Sequence, residues 1–355
     1  ASLRVVIAGT SVKNTTTGMV GYLLKSAEQD PTVMNGGLFR NYTDQSPYCS
    51  ALTGQDGTFV AEADESDGSI ALYTPTLALL TNVSLDHMSL PELRQLFGNF
   101  IAKAPVAVLN ADDALVRELM AAYPGKAVTF ALEHPADFTA QDIKLRPDGS
   151  DSVLVDGRNG TKIPLSLNQP GRHNIANALA ALAAVSELGI APAQAAALLP
   201  GFRGIARRME VTGQAKGITV IDDFGHNPDK IAATLAALRA FPGRLLVMFQ
   251  PHGFGPLRLM RRELVESFAS HLDSGDEVLM PEPFYAGGTA DRSVSSTHIV
   301  ADLLQRGVKA KVFPDRASCL PRLLATAKAG DRIVVMGARD DSLSDFARSI
   351  VSALA

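Results

Sequence analysis

Short apolar strand patterns that alternate with helical patterns constrain the fold of this 355-residue chain most strongly. Residues 3–8, Leu-Arg-Val-Val-Ile-Ala, are typical of a short buried strand. Gly9 and a loop of small residues separate them from a helical pattern over residues 15–27. The same order recurs up to about residue 110 and starts again near residue 210. Strands that alternate with helices form mostly parallel sheets, so the sequence predicts an α/β fold with helices flanking mostly parallel strands.

Two domains are predicted, because a chain of this length exceeds the usual size of one domain. We place the boundary near the segment Pro-Gly-Phe-Arg-Gly at residues 200–204, which gives domains over 1–205 and 206–355. Within the first domain, Pro-Asp-Gly, Asp-Gly and Asn-Gly turns separate short β patterns over residues 137–167. These turns predict a small antiparallel elaboration, whereas the second domain repeats the strand–helix alternation of a Rossmann-like unit.

The charge balance disfavours some classes of partner. The 33 Lys and Arg residues against 37 Asp and Glu residues give a net charge of −4, which argues against a nucleic-acid binder or a polybasic membrane binder. Apolar runs such as residues 245–249 are far too short to span a bilayer. Cys49 and Cys319 allow one disulfide, but a reducing compartment accounts for so few cysteines more simply. We therefore predict a cytoplasmic protein that acts on small molecules.

Residues 9–16, Gly-Thr-Ser-Val-Lys-Asn-Thr-Thr, follow the first strand and predict a phosphate-binding loop. Backbone N–H groups at a helix N-terminus attract an anion, a lysine adds a point charge, and an oxygen-bearing side chain can hold Mg²⁺. The usual pattern ends in Gly-Lys-Ser/Thr, whereas this chain has Val12 in place of the glycine and Asn14 in place of the hydroxyl residue. An ordinary strand-to-helix turn capped by threonines is the alternative interpretation.

Two further segments follow predicted strands of the first domain. Residues 62–67, Glu-Ala-Asp-Glu-Ser-Asp, place four acids in six positions, and carboxylate oxygens are the ligands that Mg²⁺ prefers. A solvated acidic loop is the alternative. Residues 81–88 end in Asp-His-Met, and a histidine in such a place is structural as often as it is functional.

Three segments between residues 171 and 228 also carry candidate functional side chains. Asn174 and Asn177 open an Ala-rich helical pattern, where their amides could read a nucleotide base or cap the helix. Arg207 and Arg208 lie near the domain boundary, either as phosphate contacts or as a solvated pair. Residues 222–228, Asp-Asp-Phe-Gly-His-Asn-Pro, follow a strand and precede a helix, which is the functional end of an α/β sheet.

Taken in order, these segments resemble the motifs of the Mur ligase family, the ATP-dependent amide-forming enzymes of peptidoglycan synthesis and recycling. Within the family, the resemblance is greatest to the branch that joins UDP-N-acetylmuramate to L-alanine or to a recycled peptide. That branch carries Glu-Ala-Asp-Glu-Ser-Asp, Thr-Asn, Asp-His-Met, His-Asn-x-x-Asn, Arg-Arg, Asp-Asp-Tyr-Gly-His-His-Pro and Phe-Gln-Pro-His. This chain has the corresponding segments at residues 62–67, 81–82, 86–88, 173–177, 207–208, 222–228 and 249–252.

The resemblance implies a carboxylate–amine ligase with ATP and Mg²⁺ as cofactors. One substrate would be a small carboxylic acid and the other the amine of an amino acid or peptide. The acid would take the γ-phosphoryl group of ATP, and the amine would then displace phosphate from the resulting acyl phosphate. The first domain would bind ATP and the second the amine, and closure of the second domain would complete the site.

The family's roles, carried to the matching positions, give three overlapping sets of residues. The implied catalytic residues are Lys13, His87, Arg208 and His226. The implied nucleotide-binding residues are Gly9, Thr10, Ser11, Lys13, Asn14, Thr15, Asn174, Asn177, Arg207 and Asp223. The implied metal ligands are Asn14, Glu62 and His87.

Departures from the family pattern leave other functions open. Val12 and Asn14 alter the phosphate loop, and Gly253 stands where the family has an arginine after Pro-His. The chain starts without Met and directly at its first strand, whereas family members carry an N-terminal UDP-binding domain, so we expect this chain to lack that domain. The alternatives are a nucleotide-binding homologue with impaired or lost ligase activity, in a regulatory or assembly role, and a P-loop kinase or NTPase with another acceptor.

Overall fold

The computed structural model describes residues 2–44, 49–65, 68–84, 88–284, 293–338, 340 and 342–355. The chain divides into two units, Ala1–Ala206 and Arg207–Ala355. The predicted α/β fold class is confirmed, because each unit contains a largely parallel sheet flanked by helices. None of the described helices is both long enough and apolar enough to span a bilayer.

Unit 1 is built on one sheet. Its strands are β1 Leu3–Ala8, β2 Thr32–Met34, β3 Ala51–Leu52, β4 Thr58–Glu62, β5 Leu77–Leu80, β6 Val106–Asn110, β7 Lys126–Phe130, β8 Phe138–Arg146, β9 Gly149–Asp156 and β10 Thr161–Leu167. Its helices are α1 Lys13–Ser26, α2 Leu90–Ala102, α3 Ala114–Ala121, α4 Arg172–Glu187 and α5 Pro192–Leu198. The described strands lie in the order β10-β9-β8-β7-β6-β5-β1-β4-β2-β3.

Strand β1 lies inside this sheet, parallel to β4 on one side and to β5 on the other. Val5 pairs with both Val60 and Leu77, and residues 5–8 are buried. A strand that is buried on both faces needs a continuous apolar run, which is why β1 is recognisable from sequence. The carboxyl ends of β1, β4 and β5 therefore lie at the same edge of the sheet, where their following loops meet.

The antiparallel elaboration predicted over residues 137–167 is the run β8-β9-β10. It extends the main sheet, because β8 pairs with β7 through Phe138 and Phe130. In unit 1 the sequence analysis missed β2, β7 and the two-residue strand β3. Strand β2 has only three residues and β7 begins with the exposed Lys126, so neither forms a continuous buried apolar run.

Helix α1 packs against α4. Residues 178–185 of α4 are all buried, and six of these eight positions are occupied by alanine or valine, whose small side chains allow two helices to approach closely. Helix α1 begins at Lys13, two residues earlier than the sequence pattern predicted, so Lys13 and Asn14 belong to its first turn.

Unit 2 contains a second sheet. Its strands are β11 Glu210–Ala215, β12 Ile218–Asp223, β13 Leu245–Gln250, β14 Glu277–Pro281, β15 Ala310–Phe313 and β16 Arg332–Gly337. Its helices are α6 Pro228–Arg239, α7 Phe254–Leu259, α8 Arg261–His271, α9 Ser296–Gln305, α10 Leu320–Thr326 and α11 Ser342–Leu354. The described strands lie in the order β11-β12-β16-β13-β14-β15, and β11 is an antiparallel edge strand. Asp223 ends β12 and Gln250 ends β13, and these two strands lie on either side of β16 and parallel to it.

Candidate functional site

The loop between β1 and α1 begins with a glycine that no other residue can replace. Gly9 has φ 142°, and a Cβ added there would overlap the side-chain oxygen of Thr81 and lie 3.1 Å from the backbone N of Asn82. The chain after β5 therefore lies directly against the start of the loop.

Hydrogen bonds from the segment after β5 hold the loop in place. The N–H of Thr10 donates to the Asn82 carbonyl at 3.1 Å, and the N–H of Ser11 donates to Asn82 Oδ1 at 3.0 Å. Asn82 Nδ2 donates to Ser11 Oγ at 2.7 Å, and the hydroxyls of Thr10 and Ser84 lie 2.9 Å apart. The sequence analysis recorded the Thr-Asn pair but gave it no role. Its position directly after a buried strand was the available signal.

Val12 precedes α1 in a left-handed conformation, with φ 58° and ψ 8°. A β-branched residue rarely adopts this conformation, which costs an L-residue on the order of 1–2 kcal/mol. The Val12 carbonyl accepts the N–H of Thr16 at 3.2 Å, so this conformation starts the helix. The loop thus keeps the backbone form that glycine favours, although the residue is valine.

Replacing Val12 with glycine is expected to raise the free energy of unfolding by about 1 kcal/mol, because glycine adopts the left-handed conformation without strain. Urea unfolding of the two proteins measures this difference. Val12→Ala is the matched control, since it shortens the side chain but keeps the Cβ that causes the strain. A loss of stability in Val12→Gly would show instead that the packing of the valine side chain outweighs its backbone strain.

Lys13 is paired with a carboxylate that the sequence analysis did not select. Lys13 Nζ lies 2.5 Å from Glu65 Oε2 and 4.0 Å from Asp64 Oδ1. Lys13 is 9% exposed and Glu65 only 2%, so the pair is nearly removed from solvent. Glu65 fixes the position of the lysine charge at the start of α1. It belongs to the predicted acidic segment, but sequence could not show which of its four acids faces Lys13.

The predicted metal ligands Asn14 and Glu62 are brought together. A Cβ added to Gly36 would overlap Glu62 Oε1 and lie 2.7 Å from Asn14 Nδ2, so the backbone at Gly36 covers both side chains. The donor set is one carboxylate and one amide, which suits a hard cation such as Mg²⁺. The third predicted ligand, His87, lies outside the described residues. Among the described residues no group of three His, Cys, Asp or Glu side chains could hold a metal ion.

Asn174 and Asn177 lie in the first turns of α4, where they contact α1 and the chain before α4. Asn177 Oδ1 accepts from Thr16 Oγ1 at 3.3 Å, and Asn177 Nδ2 donates to Asn174 Oδ1 at 3.2 Å. Asn174 Nδ2 donates to the Pro170 carbonyl at 2.8 Å, and both side chains are buried. These bonds hold α1 against α4. Base recognition by these two amides stays a prediction.

In unit 2, the two neighbouring arginines have different surroundings. Arg207 is 8% exposed, and its guanidinium donates to the Gly337 and Asp340 carbonyls and pairs with Asp222. Those contacts occupy Arg207 inside the unit, and the phosphate contact stays a prediction for both arginines. The Arg208 guanidinium lies over the ring of Phe224, 4.8 Å from its centroid, which is a cation–π contact typical of arginine.

Asp223 is buried and accepts three hydrogen bonds from its own unit. They come from Met209 N at 2.8 Å, Gly225 N at 2.8 Å and Thr234 Oγ1 at 2.9 Å. This carboxylate therefore fixes the turn that follows β12 and the start of α6. Nucleotide binding by Asp223 stays a prediction, and the contacts described give it a positioning role.

His226 is held in one tautomer. Its Nδ1 lies 3.0 Å from the Phe224 carbonyl, so Nδ1 carries the proton and Nε2 keeps a lone pair. Its ring packs edge-on against Phe224 and His252, with centroid distances of 5.4 and 5.1 Å. Burial, reinforced by the charge of Lys230, lowers the pKa of His226 to about 3. At neutral pH this imidazole is an uncharged hydrogen-bond acceptor.

His226 is expected to make the protein less stable as the pH falls. The unfolded histidine takes up a proton near its ordinary pKa of 6.5, whereas the folded one does so only at about 3. Stability from this group is therefore complete above pH 6.5 and declines towards pH 3, by up to about 1.4 kcal/mol per pH unit.

Urea unfolding at pH 7, 6 and 5 tests this against His226→Asn, whose amide can still donate to the Phe224 carbonyl. The variant should lose stability less steeply than the parent protein over that interval. Parallel curves for the two proteins would contradict the burial argument for His226.

Comparisons with known proteins place the chain in a family. Two sequence-family models match it, one described as the Mur ligase middle domain over residues 7–185 and one as the Mur ligase, glutamate ligase domain over residues 207–339. The UDP-N-acetylmuramate–L-alanine ligase of Pelotomaculum thermopropionicum is 36% identical over 347 residues, which cover 95% of this chain and 73% of the relative. The ligase of the same name from Geotalea daltonii is 35% identical over 344 residues, covering 94% and 73%.

A solved structure is also similar. The UDP-N-acetylmuramate–alanine ligase of Thermotoga maritima superposes with a TM-score of 0.78 at 26% sequence identity, covering 99% of this chain and 75% of that one.

Proposed function

The chain belongs to the Mur ligase family, and from that premise we propose that it joins UDP-N-acetylmuramate to L-alanine. It is an ATP-dependent carboxylate–amine ligase of the kind that builds peptidoglycan. The named relatives carry these two substrates in their names, and they supply the acid and the amine of the proposal.

The phosphate loop is the observation that carries the proposal. Lys13 stands at the first position of α1, directly after a loop fixed by Asn82, and its charge is held by Glu65. A helix N-terminus with a fixed lysine is an anion-binding site, and the γ-phosphoryl group of ATP is the anion that the reaction requires there. We therefore assign the loop residues 9–15 to ATP binding.

Phosphoryl transfer from ATP to a carboxylate requires catalysis because both reactants are anions and repel each other. A carboxylate oxygen attacks the γ-phosphorus, the bond to ADP breaks, and an acyl phosphate forms. The amine nitrogen then attacks the carbonyl carbon, phosphate leaves, and the nitrogen loses a proton as the amide forms. Lys13 offsets the repulsion between the anions in the first step. When bound, Mg²⁺ supplies further positive charge there, and Asn14 and Glu62 are the described residues that would hold it.

For the second step we propose that His226 positions the amine. Its Nε2 lone pair can accept a hydrogen bond from the attacking nitrogen, and its low pKa keeps that lone pair available at neutral pH. Because a reaction that consumes ATP must take place where ATP is supplied, we also propose the cytoplasm as its compartment.

A ligase assay tests the proposal. The protein is incubated with ATP, Mg²⁺, UDP-N-acetylmuramate and L-alanine, and phosphate release and amide product are measured, the latter by mass spectrometry. Phosphate should appear only when both substrates are present. Replacement of L-alanine by glycine, D-alanine or a peptide, and of the acid by N-acetylmuramate, identifies the preferred amine and the need for the UDP group.

Two other outcomes would contradict the proposal. Phosphate release without the amine would indicate an NTPase or a kinase, and ATP binding without any product across the substrate panel would indicate a homologue without ligase activity. The double variant Val12→Gly, Asn14→Thr separates the latter from a working loop. If the double variant bound ATP much more tightly than the parent protein, Val12 and Asn14 would be shown to impair ATP binding. We expect no such gain.

A further inference from the structure

Asn35 lies at the sheet edge where the phosphate loop begins, although no sequence pattern selected it. Strand β2 runs parallel to β4 with Met34 opposite Ala61, so the next residues along the two strands, Asn35 and Glu62, are neighbours. Glu62 is in turn opposite Ile7 of β1. The sheet register therefore places Asn35 beside the carboxylate that we assign to the cation.

The side chain of Asn35 is oriented by one hydrogen bond. Its Nδ2 donates to the backbone carbonyl of Asn14 at 3.1 Å. A carbonyl can only accept, so the NH₂ group must face Asn14, and the amide oxygen Oδ1 must point elsewhere. Asn35 thus fixes the first turn of α1 with one end of its amide.

The other end of this amide has no protein partner within the described part of the chain. Asn35 is 8% exposed, and its Oδ1 is buried without a hydrogen bond from any described residue. Leaving a buried acceptor unsatisfied costs roughly 1–3 kcal/mol, so native structures usually provide an ion, a ligand or a water for it. Asn35 Oδ1 is therefore a buried oxygen that points to a ligand.

Gly36, the residue that follows Asn35, lies against the two side chains that we assign to the cation. As described above, the backbone at Gly36 covers Glu62 Oε1 and Asn14 Nδ2, with no space for a side chain. Residues 35 and 36 thus form a wall next to the two assigned cation ligands. A neutral amide oxygen is an accepted ligand of Mg²⁺ and Ca²⁺, and of waters bound to them.

We propose that Asn35 Oδ1 is an additional oxygen ligand of the cation held by Asn14 and Glu62, directly or through a cation-bound water. The proposal rests on the proposed function, because the cation is the one that ATP-dependent ligation uses. It explains how a loop with an amide at position 14 can still offer enough oxygen to the ion. It also explains why Asn35 is polar in a buried position.

Mn²⁺ binding, followed by electron paramagnetic resonance in the presence of ADP, tests the proposal without relying on activity. Asn35→Ala should weaken Mn²⁺ binding about tenfold, since losing a group that supports a metal site typically costs 10–100-fold. Asn35→Asp should bind Mn²⁺ at least as tightly as the parent, because it keeps an oxygen and adds a charge. A purely structural Asn35 predicts the reverse for aspartate, which cannot donate to the Asn14 carbonyl.

Asn41→Ala is the matched control. The Asn41 amide bonds two backbone groups of unit 1: Nδ2 donates to Gly201 O at 2.8 Å, and Oδ1 accepts from Arg203 N at 2.7 Å. Its removal should lower stability but not Mn²⁺ affinity. Any of three results would overturn the proposal. Asn35→Ala could bind Mn²⁺ as tightly as the parent protein, Asn41→Ala could weaken Mn²⁺ binding as much as Asn35→Ala does, or Asn35→Asp could bind Mn²⁺ weakly. If the ligase assay fails while the Mn²⁺ results hold, the proposed function is wrong and the cation site is not.

Discussion

Lys13→Met is expected to lower the rate of amide formation by roughly 10²–10³-fold, because it removes a fixed positive charge where negative charge accumulates during phosphoryl transfer. Steady-state kinetics with ATP, acid and amine measures the loss. Lys25→Met, at the other end of α1, is the matched control. Lys25 pairs with Asp30 on the surface at 3.1 Å, and its removal should leave the rate unchanged.

Lys13→Met also leaves Glu65 as a buried carboxylate without its partner, so the variant should lose about 3 kcal/mol of stability. The double variant Lys13→Met, Glu65→Gln removes both charges and should regain most of that stability. It should not regain activity, because the lysine charge is still missing. Recovery of activity in the double variant would show that Lys13 acts through folding and not through charge.

We expect the second large loss of reaction rate in the variant Glu62→Gln. The change keeps the size of the side chain but removes the negative charge that would hold Mg²⁺, so the rate at fixed Mg²⁺ should fall about 100-fold. A titration with Mg²⁺ tests whether weaker Mg²⁺ binding causes the loss, since higher Mg²⁺ concentrations should then restore part of the rate in this variant.

Glu118→Gln is the control for Glu62. Glu118 pairs with Arg94 on the exposed surface of α3, and its loss should change neither the rate nor the Mg²⁺ dependence. An unchanged Mg²⁺ dependence in Glu62→Gln would exclude Glu62 as a cation ligand.

The elements that sequence predicted best are those with a local cause. Residues 5–8 of β1 form an apolar run, and Pro-Asp-Gly and Asn-Gly turns separate β8, β9 and β10, so these strands follow from nearby residues. Strands β2 and β11 were missed for the opposite reason. The first has three residues, and the second is an exposed edge strand without a buried face, so both depend on their partners in the sheet.

In the candidate site too, residues next to one another in sequence could be predicted, and residues that depend on contacts across the sheet could not. Gly9 to Thr15 are consecutive, and their side-chain chemistry alone indicated a phosphate loop. Glu65 and Asn35 could not be selected, because their importance comes from contacts across the sheet, with Lys13 and with the Asn14 carbonyl. For Asn174 and Asn177 the sequence left two roles open, base recognition and helix capping. Their described contacts join two helices, and base recognition stays a prediction.

The transfer of oxygen from the acid to phosphate tests the central claim most directly. The acid is prepared with ¹⁸O in its carboxylate and incubated with the protein, ATP, Mg²⁺ and L-alanine, and the released phosphate is analysed by mass spectrometry. An acyl phosphate intermediate requires the carboxylate oxygen that bonded to phosphorus to leave with it, so each amide formed should yield one phosphate carrying one ¹⁸O. Phosphate without ¹⁸O, released at the rate of ATP consumption, would contradict the account.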